Sequence, residues 1–176
     1  FYGVRVDAGQ LTDLWSTELG GNSTSSPSVY NGRAYVGVAG SGQFAAYSGH
    51  SIQVIDLKNK SVAYAAETQG YPQTSGLLTT SYEEESGYVY IYFFDNMTPG
   101  KLRVLRDKPG QTRLDYVTTE GKSSTVYTLF TPTGDQAQYA ICSPIADEYG
   151  TIYFKNDSAH LMAFGSKIVS LDVTVN

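Results

Sequence analysis

The chain has 176 residues, enough to bury a core, and only 16% of them are charged, against about 25% in ordinary soluble domains. Its formal charge of −5 and the lack of a basic stripe exclude the counterion-driven binding that nucleic acid requires. No apolar run approaches the ~18 residues of a membrane-spanning helix, and a single cysteine, Cys142, excludes an internal disulfide and a cysteine-based zinc site.

The opening Phe1-Tyr2-Gly3 carries no initiator methionine and reads as the start of a processed or excised product. Residues 1–16 predict two strands. Three units on one plan follow. The first has Ser26-Pro27-Ser28-Val29-Tyr30, the turn Asn31-Gly32, then strands over 34–38, 51–55 and 61–64. The second has Ser75-Gly76-Leu77-Leu78, a turn at Gly87, then strands over 88–94, 101–105 and 112–116. Ahead of the third, Tyr139-Ala140-Ile141-Cys142 reads as a buried strand in which Cys142 is a small core hydrophobe. The third unit has Ser143-Pro144-Ile145-Ala146, the turn Tyr149-Gly150, then strands over 151–154, 160–164 and 168–171. Short β-branched and aromatic runs between glycines are strand signals, and no helix is predicted. Each unit repeats Gly-x-x-Tyr: Gly32 to Tyr35, Gly87 to Tyr90 and Gly150 to Tyr153. The glycine supplies the positive φ of a hairpin turn. The tyrosine then falls at a fixed place on the second strand, where it is expected to pack between units.

Aspartates close the third strands, and an aromatic follows at like spacing: Asp7 with Trp15, Asp56 with Tyr64, Asp107 with Tyr116. With the Ser-Pro entry strand and the glycine hairpin, this order resembles the quinoprotein-like (PQQ-like) β-propeller repeat over essentially the whole chain. The resemblance implies an all-β fold, a partial β-propeller of about three to four four-stranded antiparallel blades. Residues 1–16 would end a preceding blade, and 17–66, 67–130 and 131–176 would form one blade each. Complete rings have about seven or eight blades. The chain therefore reads as a fragment of a longer propeller, or as an arc whose open ends are covered by further blades or a second copy. Residues 170–176 read as a strand leaving toward a further domain.

Family members that are quinoprotein dehydrogenases hold their cofactor with calcium, a cysteine-pair disulfide and a tryptophan floor. One cysteine and one tryptophan do not match that set, so no cofactor, metal or catalytic residue is expected. The resemblance then implies a non-catalytic scaffold or adhesion module of a secreted or cell-surface bacterial protein. The alternatives are a glycan-binding module, or part of an enzyme whose active site lies outside this chain. The 15 tyrosines bear on the glycan reading, because an exposed tyrosine offers a large amphipathic face at low entropy cost. Tyr47, Tyr71, Tyr82 and Tyr149 fall in or near predicted loops and are the candidate ligand contacts. Glu83-Glu84-Glu85 reads as a solvated loop, and Asp95-Asn96 and Asn156-Asp157 read as turns. His50 and His160 read as surface or edge residues. No nucleophile elbow, phosphate loop or His-Glu-x-x-His pattern occurs. The sequons at Asn22, Asn96 and Asn156 would matter only in a eukaryotic secretory pathway.

Overall fold

Ala8 and Gly9 both take positive φ, 47° and 78°, the conformation of a two-residue hairpin turn whose twist matches its strands. They join β1 (Tyr2–Asp7) to β2 (Gln10–Ser16). The same turn recurs at Asn31-Gly32, with φ of 45° and 75°, between β3 (Ser28–Tyr30) and β4 (Arg33–Val38). This computed structural model describes residues 1–43, 46–119 and 121–165. The chain continues through β5 (Ser51–Asp56), β6 (Ser61–Glu67), β7 (Leu77–Thr79), the single helical turn α1 (Glu83–Ser86) and β8 (Val89–Phe94). Then come β9 (Leu102–Asp107), the small hairpin β10 (Val117–Thr119) and β11 (Lys122–Ser124), and β12 (Tyr127–Phe130). A 3-10 turn at Gly134–Gln136 precedes β13 (Ile145–Ala146), β14 (Ile152–Lys155) and β15 (Leu161–Phe164). The fold is all-β, as the sequence predicts. Among the described residues no helix is long and apolar enough to cross a membrane.

The strands form antiparallel meanders. One four-stranded sheet has the order β3-β4-β5-β6, a second has β7-β8-β9-β12, and a third has β13-β14-β15. Side chains alternate between the two faces of a strand, and that alternation stacks these sheets in chain order. On the first sheet Ala34, Val36 and Ile55 face the β1-β2 hairpin, where Phe1 and Trp15 pack on them. Tyr35, Ile52, Val54, Tyr64 and Ala66 face the second sheet and meet Val89, Ile91, Phe93 and Leu105. On the second sheet's other face Phe94 and Leu102 meet Ile152, Phe154 and Met162 of the third. All of β4 is buried, because both of its faces are covered.

A buried polar cluster crosses the first sheet boundary. The Arg33 guanidinium donates from Nε and Nη2 to the two Asp107 oxygens, at 3.0 Å each. The Tyr35 and Tyr64 hydroxyls donate to the same carboxylate at 2.9 and 2.6 Å. A bidentate arginine pair of this kind fixes geometry as well as charge. It uses the repeat's own residues: the aspartate closing β9, the Gly-x-x-Tyr tyrosine, and the aromatic after Asp56.

Several sequence expectations need correction. Residues 112–116 are not the fourth strand of the second unit; β12 takes that place, pairing with β9 through Tyr127 and Val104. The segment 112–116 has one aliphatic side chain, Leu114, and spends Asp115 on Tyr88 and Arg106, whereas Tyr127–Phe130 supplies the apolar residues an outer strand needs. The segment 139–142 is not a strand: Ala140 is buried, but Tyr139 and Ile141 are exposed. Glu83 is no solvated loop residue, since it sits in α1 and accepts a 2.6 Å bond from the Tyr30 hydroxyl. Of the repeated tyrosines, Tyr35 bonds across to the neighbouring sheet, whereas Tyr153 bonds to Asp147 of its own hairpin. The strand expected over 168–171 lies outside the described residues.

Candidate functional site

The connections β2–β3, β4–β5, β6–β7 and β8–β9 meet at one end of the first two sheets. Isolated β-bridges tie β2–β3 to β4–β5 (Asn22 to Gly40) and β6–β7 to β8–β9 (Tyr71 to Asn96), and Ser41 pairs with Ser48 within β4–β5. Between them lies a cavity of about 420 Å³, within the ~300–1,000 Å³ that small-molecule sites occupy.

Tyr71 forms its central wall. Its backbone carbonyl accepts the Asn96 N–H at 2.7 Å, and its hydroxyl accepts the Thr24 N–H and lies 2.8 Å from Thr24 Oγ1. The ring is thus held at both ends. His50 runs nearly parallel to it, with ring centroids 6.5 Å apart and 18° between planes. His50 Nδ1 lies 2.6 Å from the Ala39 carbonyl. A carbonyl can only accept, so Nδ1 carries the proton and Nε2 is left for other partners. Tyr47 enters from the β4–β5 connection, and Tyr139 from the segment before β13.

Amides complete the lining. Asn96 Nδ2 donates to Gln73 Oε1 at 3.0 Å, and Asn96 Oδ1 is buried with no hydrogen-bond partner among the described residues. Asn22 stands on the opposite connection. The loop carrying Asn96 is anchored beneath by Asp95, which is fully buried and paired with Arg103 at 2.7 Å. Burial pushes the Asp95 carboxyl up, while the Arg103 guanidinium pulls it down. Arg103 also reaches Thr128 and Gln69, so this ion pair braces three elements. Asp95 is therefore more than a turn residue.

Among the described residues, no aspartate, glutamate, lysine or arginine lines the cavity. What it offers is aromatic faces beside amide, hydroxyl and imidazole groups. Such a surface suits a neutral ligand with apolar faces and many hydroxyls, because amide, hydroxyl and imidazole groups offer the donors and acceptors that hydroxyls pair with. A charged ligand would be buried there without a counter-charge, which is costly.

Of the four tyrosines singled out from the sequence, the structure brings Tyr47 and Tyr71 together and leaves the other two apart. Tyr82, beside α1, packs edge-on against Tyr90 at the opposite sheet end. Tyr149, on the β13–β14 turn, is 83% exposed. Sequence reasoning missed Asn22, Gln73, Asn96 and Tyr139 as wall residues. It read His50 as an edge residue, whereas it is half-buried in this wall. Asn22 and Asn96 had one visible signal, their sequons, which point to a different chemistry. Among the described residues, no three His, Cys, Asp or Glu side chains converge as a metal site would require. No family model matches the sequence, and no curated protein matches it either.

Proposed function

We propose that the chain is a non-catalytic binding module of β-propeller build, each stacked sheet being one blade, and that it takes a neutral saccharide in the Tyr47–His50–Tyr71 cavity. The blade reading is supported by four-stranded meanders that pack face to face in chain order. The saccharide reading is carried by one observation: a pre-shaped cavity walled by aromatic rings and amides, with no charged side chain in its wall among the described residues. Pyranose rings have apolar C–H faces that pack on an aromatic ring, and hydroxyls that pair with amides. Modules of this kind belong on secreted or cell-surface proteins, in keeping with the sparsely charged composition. Calorimetric titration with a panel of neutral oligosaccharides is the test. Binding to the parent chain that Tyr71→Ala abolishes and Tyr149→Ala leaves intact supports the reading. Silence across the panel, or binding indifferent to Tyr71, rejects it.

A scaffold role is favoured by a different observation. The outer face of the β1-β2 hairpin leaves Tyr2, Val6 and Leu11 exposed, an apolar patch of the sort that partners cover.

A further inference from the structure

The opposite end of the second sheet holds a second cavity, of about 550 Å³. The buried Arg33–Asp107 pair, which joins the start of β4 to the end of β9, shows that this end lies away from the Tyr71 cavity. Its walls are Tyr88 just before β8, Lys108 just after β9, and residues of the segment 111–116.

The charge of this cavity is opposite to that of the chain. Its one acid among the described residues, Asp115, is already engaged: it accepts from the Tyr88 hydroxyl, from the Tyr116 N–H at 2.7 Å, and pairs with Arg106 at 3.2 Å. Arg106 and Lys108 both sit over the Tyr88 ring, 4.3 and 4.6 Å from its centroid, at the separation of cation–π contacts. Arg106 is thus committed to Asp115. Lys108 and Arg113 are exposed and form no ion pair among the described residues. The acidic turn α1 lies at the same sheet end but does not line the cavity. Two cations without an ion pair among the described residues, in one concavity of a chain of charge −5, focus a local positive field, while Leu114 and Tyr116 supply apolar surface beside them.

We infer that this cavity binds a small organic anion, its carboxylate or sulfate held between Lys108 and Arg113 and its body resting on Tyr116 and Leu114. The ligand class differs from that of the Tyr71 cavity, and the inference does not rest on the saccharide reading.

Three probes built on one sugar ring separate charge from ring shape: galactose, galacturonate and galactose 6-sulfate, titrated calorimetrically at low ionic strength. The Tyr71→Ala chain is used, so that the neutral site contributes nothing. At least one of the two anions is expected to bind and galactose is not, the stronger anion telling carboxylate from sulfate. Added salt should weaken the anion, since exposed charges are screened over about 8–10 Å at physiological ionic strength. The double change Lys108→Ala/Arg113→Ala should reduce affinity about tenfold, as expected when two solvent-exposed charge contacts are lost. Both residues are exposed, so an unchanged thermal midpoint will show that the variant folds. Failure of both anions to bind, equal binding of galactose, or affinity unaltered in the double variant overturns the inference.

Discussion

A Cβ added at Gly37, in the middle of β4, would overlap the carbonyl oxygen of Pro72. Pro72 lies between Tyr71 and Gln73, so a backbone-to-backbone approach at one glycine sets where the cavity wall stands. The Gly37 carbonyl also accepts the Ser23 hydroxyl at 2.6 Å, which brings in the β2–β3 connection beside Asn22 and Thr24. Only a residue without a side chain permits this approach. Gly37→Ala is expected to destabilise the chain by about 1–3 kcal/mol, the usual cost of overpacking, and to weaken saccharide binding more than its loss of stability explains. Urea unfolding and calorimetry on the same variant check both effects.

The Arg33–Asp107 pair joins the first two sheets in the interior: the side chains are 3% and 0% exposed. Removing Asp107 leaves the buried Arg33 charge to the partly exposed Asp56, 3.8 Å away. Asp107→Ala should cost about 3–5 kcal/mol, measured by denaturant unfolding, and should loosen the contact between the sheets. Asp13→Ala, which breaks the exposed pair with Lys60, should cost little.

Burial, and then the Asp107 carboxylate, push the Tyr35 and Tyr64 phenols above their ordinary value of 10.0. Folded-state values raised in this way give stability that is whole below the unfolded pKa and is lost as pH rises toward the folded values. Stability should therefore fall from about pH 10 upward. Phenolate absorbance in an alkaline titration should show two tyrosines ionising only as the chain unfolds. The Tyr35→Phe/Tyr64→Phe variant should lose stability less steeply across that range.

At the acid end the sign reverses. The Tyr88 hydroxyl, the Tyr116 N–H and the Arg106 guanidinium hold Asp115 down to about 2, below its ordinary 3.8. A depressed carboxyl contributes stability that is present above the unfolded value and is lost as pH falls through the folded one. The contribution is small, because the carboxylate is partly exposed and screened. Asp115→Asn should flatten the stability profile between those two values, and carboxyl NMR should place the Asp115 midpoint near 2.

The strands were legible wherever local chemistry agrees with itself. Asn31-Gly32 is a turn by residue type, and Val89–Phe94 alternates cleanly between the core faces that it serves. The fourth strand of the second sheet was not legible, because 112–116 imitates a strand by position and the β10-β11 hairpin delays the real one. The cavity was legible only in part. Counting tyrosines picks out Tyr47 and Tyr71, but the contacts that bring their loops together, Asn22 to Gly40, Thr24 to the Tyr71 hydroxyl and His50 against the Tyr71 ring, pair distant segments that no local pattern encodes. Tyr82 and Tyr149 carry the same composition signal and part from the others only in three dimensions.

Binding in the Tyr47–Tyr71 cavity is tested most directly by mapping amide NMR shifts during titration with the best oligosaccharide of the panel. Saturable shifts are expected at Asn22, Thr24, Ala39, Tyr47, His50, Tyr71, Gln73, Asn96 and Tyr139, with Tyr82, Tyr149 and the segment 111–116 unmoved. Shifts clustered instead on the β1-β2 hairpin or around Tyr149, with the cavity residues silent, would contradict the assignment of the site.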